Sequence, residues 1–179
     1  LLAASSAKVA GHPDADRLLT DISTVLEERF WEEAHGAVAE EFTADWKSYD
    51  GYRGQNSNMH LTEALMAAFE ATGDGNYLSM AERIADLIIR RHSAAAGWRL
   101  PEHFTTDWKL DRDYSGDPMF RPFGTTPGHS LEWARLLLQL WELGGRKLAW
   151  LPDAARNLFG QATADGWDTA RGGFYYTLE

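Results

Sequence analysis

The 179-residue sequence contains no cysteine, which excludes both a disulfide framework and a thiolate metal site. This absence fits a reducing compartment, and we expect a cytoplasmic protein. Basic residues are also scarce, because 17 Lys and Arg stand against 27 Asp and Glu, for a formal net charge of −10. Phosphate backbones and anionic membranes both attract basic surfaces. The sequence therefore predicts neither a nucleic-acid partner nor a membrane partner.

Long apolar runs are missing as well, since none approaches the roughly 20 residues that cross a bilayer. The opening stretch LLAASSAKVAGHPDA lacks the basic segment of a signal peptide and has the pattern of a helix cut in its middle. Aromatic residues, in contrast, are plentiful, with eight Trp, eight Phe and six Tyr. Such a supply suits a large core or the stacking surfaces of a sugar site.

Two sets of residues recur along the chain with the same period. Glycines end one helical pattern shortly before the next begins, at Gly11, Gly73 and Gly144, which are 62 and 71 positions apart. Phenylalanines lie in short extended stretches at Phe42, Phe104 and Phe174, which are 62 and 70 positions apart. Because the two markers are independent, the shared period indicates an internal repeat.

Between the markers, apolar residues recur at helical spacing, as at Leu18, Ile22 and Val25. Each repeat is predicted to contain a helix, a Gly turn, a second helix and a long aromatic-rich loop with a short strand. The loops all precede the more buried helix of each pair, which favours an all-α (α/α) toroid over an open TPR-like array. Two and a half repeats cannot close a ring. We therefore expect residues 1–179 to form a fragment of one barrel domain, which associates with its missing part or with a second copy.

The repeat aligns two histidine–glutamate pairs. His60 and Glu63 lie one period before His129 and Glu132, and each pair falls in the first turns of the helix after a long loop. Residues at i and i+3 share a helix face, so both pairs should point toward the same mouth of the ring. There they could move protons. Alternatively, two His and two Glu could hold a cation, although no HExxH spacing or Asp-rich loop is present, or each His could simply cap or pack.

Other polar residues flank these pairs. Arg53, Gln55, Asn56 and Asn58 precede His60 and suit sugar hydroxyls, although Asn58 could instead cap the helix. Arg121, in the loop before His129, could reach the mouth or lie on the plain surface. Glu102 and His103 are expected at a strand edge, where His103 either joins the loop scaffold or touches substrate.

The strings YRGQNSNMHLTEAL, PEHF and FRPFGTTPGHSLEWARLLL, in this order and spacing, resemble the N-acylglucosamine 2-epimerase superfamily, especially its aldose–ketose isomerase branch of mannose and sulfoquinovose isomerases. The resemblance covers nearly the whole chain. It implies an (α/α)6 barrel, of which this chain is about half. It also implies isomerisation of a monosaccharide through an enediol(ate) by two histidines, with no metal or nucleotide cofactor.

Carried over by motif, the resemblance makes His129 one of the two acid/base histidines and Glu132 its close polar partner. Asn56 and His60 match substrate-contacting residues, and Arg121 is the candidate arginine, although the family's arginine aligns nearer to Met119. The second catalytic histidine falls in a later repeat, beyond this chain. A sugar 2-epimerase, a non-catalytic helical-repeat binding module and an (α/α)-barrel glycosidase are the alternative interpretations.

Overall fold

The computed structural model describes residues 1–48, 51–114 and 116–179. The elements of the described chain are helices joined by long loops that carry short strands. The α-helices are α1 (Leu2–Val9), α2 (Ala15–Val25), α3 (Gln55–Thr72), α4 (Gly75–Ala85), α5 (Pro127–Leu143) and α6 (Trp150–Gly166). The strands are β1 (Trp31–Glu32), β2 (Ala37–Val38), β3 (Arg53–Gly54) and β4 (His103–Phe104), and π-helical turns over Leu26–Phe30 and Asp86–Ser93 extend α2 and α4.

Consecutive helices form three hairpins, α1–α2, α3–α4 and α5–α6, and α3 packs against both α1 and α5. The helices α1, α3 and α5 therefore make one layer, and α2, α4 and α6 make the other. This arrangement confirms the predicted repeat of helical hairpins. Within the described residues, no helix combines the length and the apolarity needed to cross a membrane.

Local sequence explains where the helices begin and end. Gly73 follows α3 with φ +74°, a left-handed conformation that glycine adopts without a steric penalty. Asp74 then caps α4 by accepting a hydrogen bond from the Asn76 amide at 2.9 Å. Pro127 opens α5, where its missing N–H costs nothing.

The core lies between the two helical layers. Met59 and Leu65 of α3, Ile84 of α4, and Trp133 and Leu137 of α5 are fully buried. The sequence predicts that α5 is buried on most faces, but only seven of its 17 residues are buried, and Arg135 and Leu138 are exposed. One face of the layer formed by α1, α3 and α5 is thus exposed.

The loops contain a repeated turn. The segments FTADWKS (42–48) and FTTDWKL (104–110) close in the same way, since Thr43 and Thr105 each donate a backbone hydrogen bond to the carbonyl four residues on. The tryptophan of each turn has a positive φ, 60° at Trp46 and 55° at Trp108. The period marked by Phe42 and Phe104 is therefore a structural repeat, whereas Phe174 pairs differently, with Trp167.

Glu32 anchors the second of these turns. Its Oε2 accepts a hydrogen bond from the Trp108 indole at 2.8 Å, and its two oxygens accept from Arg53 at 2.6 and 3.1 Å. Burial opposes ionisation of Glu32, but these hydrogen bonds outweigh it and hold its pKa below the ordinary value. The first repeat is thereby pinned to the loop of the second.

Candidate active site

A two-residue strand pair brings the central groups of the site together. β3 pairs antiparallel with β4, with Gly54 opposite His103. The backbone N–H of Gln55 donates to the backbone carbonyl of Glu102 at 3.1 Å. This pairing sets the loop ahead of α5 beside the first turn of α3. The side chains of Gln55, Glu102 and His129 meet there.

His129 forms a carboxylate–imidazole dyad with Glu102. Its Nδ1 lies 3.0 Å from Oε1 and 2.9 Å from Oε2 of Glu102, and the Thr126 amide donates to Oε1 at 3.1 Å. The Glu102 side chain is 5% exposed and that of His129 is 27% exposed. A carboxylate only accepts hydrogen bonds, so Nδ1 of a neutral His129 carries the proton and Nε2 keeps the lone pair. Such a ring nitrogen can act as a base.

The acidic surroundings adjust the affinity of His129 for protons. Burial lowers the pKa of His129, but the hydrogen bond and charge of Glu102, together with the charge of Glu132, outweigh that effect and raise it above 6.5. Glu132 thus lies close enough to act through its charge. The hydrogen-bonding partner of His129 is nevertheless Glu102, which the sequence analysis had not paired with it.

A buried amide supports the dyad from behind. Nε2 of Gln55 donates to Glu102 Oε2 at 2.7 Å and lies 2.9 Å from His129 Nδ1. Oε1 of Gln55 accepts from the Trp133 indole at 2.7 Å. Gln55 and Trp133 are both 0% exposed. Glu102, the Gln55 amide and the Trp133 indole form a continuous chain of hydrogen bonds leading to His129.

The aligned histidine–glutamate pairs converge only in part. Donor atoms of His60, Glu63 and Glu132 lie within 4.8 Å of one another, as their shared face predicted. His129 turns from this group toward Glu102. The guanidinium of Arg135 reaches Glu63 at 2.8 Å and Glu132 at 3.9 Å. Although the three donor types could hold a cation, Arg135 already places a positive charge beside the two carboxylates.

The polar residues ahead of His60 divide into two groups. Arg53 and Asn58 are structural. Arg53 donates to Glu32. Oδ1 of Asn58 accepts from the Val38 N–H at 2.9 Å, and Nδ2 of Asn58 donates to the Gly54 carbonyl at 2.9 Å. Asn58 lies inside α3, after the N-cap Gly54, so the alternative that it caps the helix was wrong. Asn56 is different, because its buried Oδ1 has no hydrogen-bond partner in the described part of the chain.

Arg121 is occupied by neighbouring groups. Its guanidinium lies 4.3 Å from the centre of the Tyr52 ring, is paired with Glu41 and lies 3.7 Å from Glu40. Substrate binding by Arg121 would require these pairs to open, so the structure does not favour that prediction.

His103 belongs to the loop scaffold. Its Nδ1 faces the Tyr52 hydroxyl at 2.9 Å, its Nε2 faces the Pro122 carbonyl at 2.8 Å, and Tyr114 stacks on the ring at 4.3 Å. Both ring nitrogens are thus engaged with protein groups. Of the two interpretations left open by the sequence, the structure selects the scaffold.

The cavity lined by Glu102 is not centred on the dyad. A cavity of about 480 Å³ is lined by Arg99, Glu102, His103 and Tyr114. Among the described residues, neither His129 nor His60 lines it. We therefore place the candidate site on the open face of α3 and α5, where His60 is exposed.

Sequence reasoning did not assign Glu102 or Trp133 to the site, and it counted Gln55 among residues suited to sugar hydroxyls, whereas Gln55 is fully buried behind the dyad. The available signal was positional: Glu102 is two residues before the recurring Phe104, and Gln55 directly follows Gly54, the residue that precedes α3. Neither position reveals the pairing of β3 with β4. That pairing sets Glu102 against the start of α3, within reach of His129.

The whole sequence, residues 1–179, matches the N-acylglucosamine 2-epimerase (GlcNAc 2-epimerase) family. The chain belongs to this family. It is 48% identical to a D-mannose isomerase of Thermobifida fusca over 183 aligned positions, which cover all of this chain and 45% of the relative. A D-mannose isomerase of Pseudomonas cannabina pv. alisalensis is 46% identical over 99% of the chain and 45% of its own length.

A crystal structure of D-mannose isomerase superposes with a TM-score of 0.92 at 40% identity, covering 99% of this chain and 46% of the other. These findings confirm the resemblance to the isomerase branch and the fold, an arc of about half of an (α/α)6 barrel. The chain spans about half the length of the curated relatives it matches.

Proposed function

We propose that these residues are part of a longer (α/α)6-barrel protein that interconverts D-mannose and its ketose isomer, D-fructose. The complete polypeptide that contains this chain is called the whole protein below. The observation that carries the proposal is the Glu102–His129 dyad, which leaves Nε2 of a partly exposed imidazole as a base. The high identity to D-mannose isomerases supports the substrate.

The partial coverage of the relatives supports the longer barrel. Large apolar side chains are exposed at both ends of the arc. They include Leu18 and Ile22 of α2, and Phe159, Trp167 and Tyr176 in and after α6. In a closed ring, further helical hairpins would cover such residues.

The chemistry assigned to His129 is proton transfer between neighbouring carbons. Nε2 removes the proton from C2 of the open-chain aldose, the C–H electron pair forms the C1–C2 double bond, and the carbonyl oxygen takes the negative charge. A proton passes from O2 to O1, and His129 returns its proton to C1, which yields the ketose. No electron leaves the substrate, so no redox partner is required. Glu102 stabilises the imidazolium formed midway.

Nearby polar groups suit the sugar. The unpartnered Oδ1 of Asn56 can accept a hydrogen bond from a substrate hydroxyl. We assign His60 to donate toward the developing oxyanion. We assign Glu132 to favour the protonated form of His129 through its charge. The resemblance implies that a second acid/base histidine lies outside this chain, and the 179 residues alone are therefore expected to be inactive.

The test is an assay of the whole protein with D-mannose, scored for D-fructose. Deuterium at C2 of mannose should appear partly at C1 of fructose, because one base carries the proton between the two carbons. His129→Ala should reduce kcat by about 10²-fold or more. His12→Ala, at an exposed turn, is the matched control and should leave the rate unchanged. Formation of glucose instead of fructose would identify a 2-epimerase.

A further inference from the structure

We infer that Gln55, oriented by Trp133, is a positioning residue that holds the Glu102 carboxylate against Nδ1 of His129, so that Nε2 serves as the base. The inference rests on the proposed function for its consequence in catalysis. Its structural content, the tautomer of His129, can be measured without any activity.

The orientation of the Gln55 amide is determined by its partner. An amide side chain can present either its oxygen or its nitrogen, but an indole N–H only donates. One terminal atom of the Gln55 amide lies 2.7 Å from Trp133 Nε1, and because the indole donates, that atom must be the oxygen. The nitrogen is therefore the atom that faces Glu102 and His129.

With this orientation, donors converge on both oxygens of Glu102. Gln55 Nε2 donates to Oε2, the Thr126 amide donates to Oε1, and His129 Nδ1 approaches both oxygens. These donors hold the Glu102 carboxylate in one orientation, in which both of its oxygens face His129 Nδ1. Since Gln55 and Trp133 are fully buried and Glu102 nearly so, bulk water cannot replace a lost donor.

The opposite orientation would work against the dyad. If the amide were turned over, Gln55 Oε1 would lie near Oε2 of Glu102, where two acceptors repel. The oxygen would also occupy the present position of Gln55 Nε2, 2.9 Å from His129 Nδ1, and would compete with Glu102 for the proton on Nδ1. The Trp133 hydrogen bond excludes this state. Gln55 acts on the substrate only through Glu102 and His129, because none of its surface is exposed.

The experiment compares Gln55→Glu, Trp133→Phe and a control in the whole protein. Gln55→Glu keeps the side-chain shape and the acceptor for Trp133 but replaces the donor with a second carboxylate beside His129. Trp133→Phe removes only the N–H that orients the amide and retains most of the aromatic volume. Gln161→Glu is the matched control, since the Gln161 amide also donates to a carboxylate, Asp165, at 2.7 Å in α6, away from the dyad.

The first readout is the imidazole ¹⁵N spectrum of His129. We expect a neutral ring protonated at Nδ1 in the wild type and in Gln161→Glu. In Trp133→Phe the Nδ1 proton should be shared between Glu102 and the turned amide oxygen, so the Nδ1 ¹⁵N and ¹H shifts should differ from those of the wild type. The second readout is the pH dependence of kcat/KM for D-mannose. Gln55→Glu should move its acidic limb upward by at least about one pH unit and lower kcat about tenfold near neutral pH, with KM changed by less than about threefold.

A neutral wild-type ring protonated at Nε2, or variants with wild-type Nδ1 shifts and pH profile, would overturn the inference. If Gln55→Glu does not fold, Trp133→Phe decides on both readouts. Failure of mannose turnover in the wild type would count against the proposed function alone, because the ¹⁵N measurement still tests the role of Gln55.

Discussion

Glu102 and His129 are 27 positions apart, and their side chains meet with 2.9 Å between Oε2 and Nδ1. The contact depends on two local structures. β4 sets Glu102 against the start of α3, and Pro127 begins α5 so that His129 lies in its first turn. A carboxylate in this place selects the ring tautomer and stabilises the protonated ring.

Substitution of Glu102 tests this relationship. Glu102→Gln keeps the shape but removes the charge, so the pKa of His129 should fall and both tautomers become accessible. We expect kcat of the whole protein to decrease about 10²- to 10⁴-fold, with a smaller change in KM. Steady-state kinetics with D-mannose measures both constants. Glu70→Gln, at an exposed position of α3, should behave as the wild type; a fully active Glu102→Gln variant would exclude Glu102 from the mechanism.

The raised pKa of His129 predicts how both rate and stability depend on pH. The base must be unprotonated in the free enzyme, so kcat/KM should decline as pH falls through the raised value, at a pH above 6.5. Stability follows the opposite direction. A pKa raised on folding contributes free energy that is fully present below the unfolded value of about 6.5 and is lost as pH rises through the folded value.

Urea denaturation of the whole protein between pH 5 and pH 9 measures this contribution, and NMR titration of His129 supplies the folded pKa. The matched comparison is His129→Gln, in which the component of the pH dependence that comes from His129 should disappear. An unchanged pH dependence of the free energy of unfolding in that variant would contradict the raised pKa.

The hairpin repeat was predictable because its signals are local. A glycine that ends a helix and an aromatic that opens a turn act within a few residues, so Gly73 and Phe104 reveal the period directly. The meeting of His60, Glu63 and Glu132 was also predictable, because helical geometry fixes which residues share a face. The partner of His129 was not, because strands of two residues carry no periodic pattern and their pairing is a tertiary event.

Composition alone likewise could not separate binding residues from structural ones. Arg53, Asn56 and Asn58 are all polar and close in sequence, and each suits a sugar hydroxyl. The structure separates them through burial and existing bonds: Arg53 pairs with Glu32 and Asn58 with Val38, whereas Oδ1 of Asn56 lacks a partner among the described residues.

This difference predicts opposite results for the two asparagines. Asn58→Ala removes the acceptor of the buried Val38 N–H and should lower the free energy of unfolding by about 1–3 kcal/mol. Asn56→Ala should change stability by less than about 1 kcal/mol but raise KM for D-mannose several-fold. Thermal denaturation and initial-rate kinetics on both variants distinguish the roles. A destabilised Asn56→Ala variant with normal KM would show that Asn56 is structural as well.

The repeated tryptophan turns predict how the arc is completed. Trp108 is 3% exposed and donates to Glu32 of the preceding repeat, whereas Trp46, in the same turn conformation, is 44% exposed. Glu32 and its neighbours cover the turn at residues 104–110. If further hairpins of the whole protein cover the turn at residues 42–48 in the same way, the Trp46 indole will be shielded from solvent. Trp46→Phe and Trp108→Phe should then each destabilise the whole protein by about 1–3 kcal/mol.

Acrylamide quenching measures the exposure directly. Trp46→Phe should leave the readily quenched fraction of the tryptophan fluorescence of the whole protein unchanged, because a covered indole contributes nothing to that fraction. Trp167→Phe provides a parallel at the other end of the arc, where the indole is 45% exposed. Loss of a readily quenched component in Trp46→Phe, with unchanged stability, would show that no further repeat packs on this turn and would count against the longer barrel.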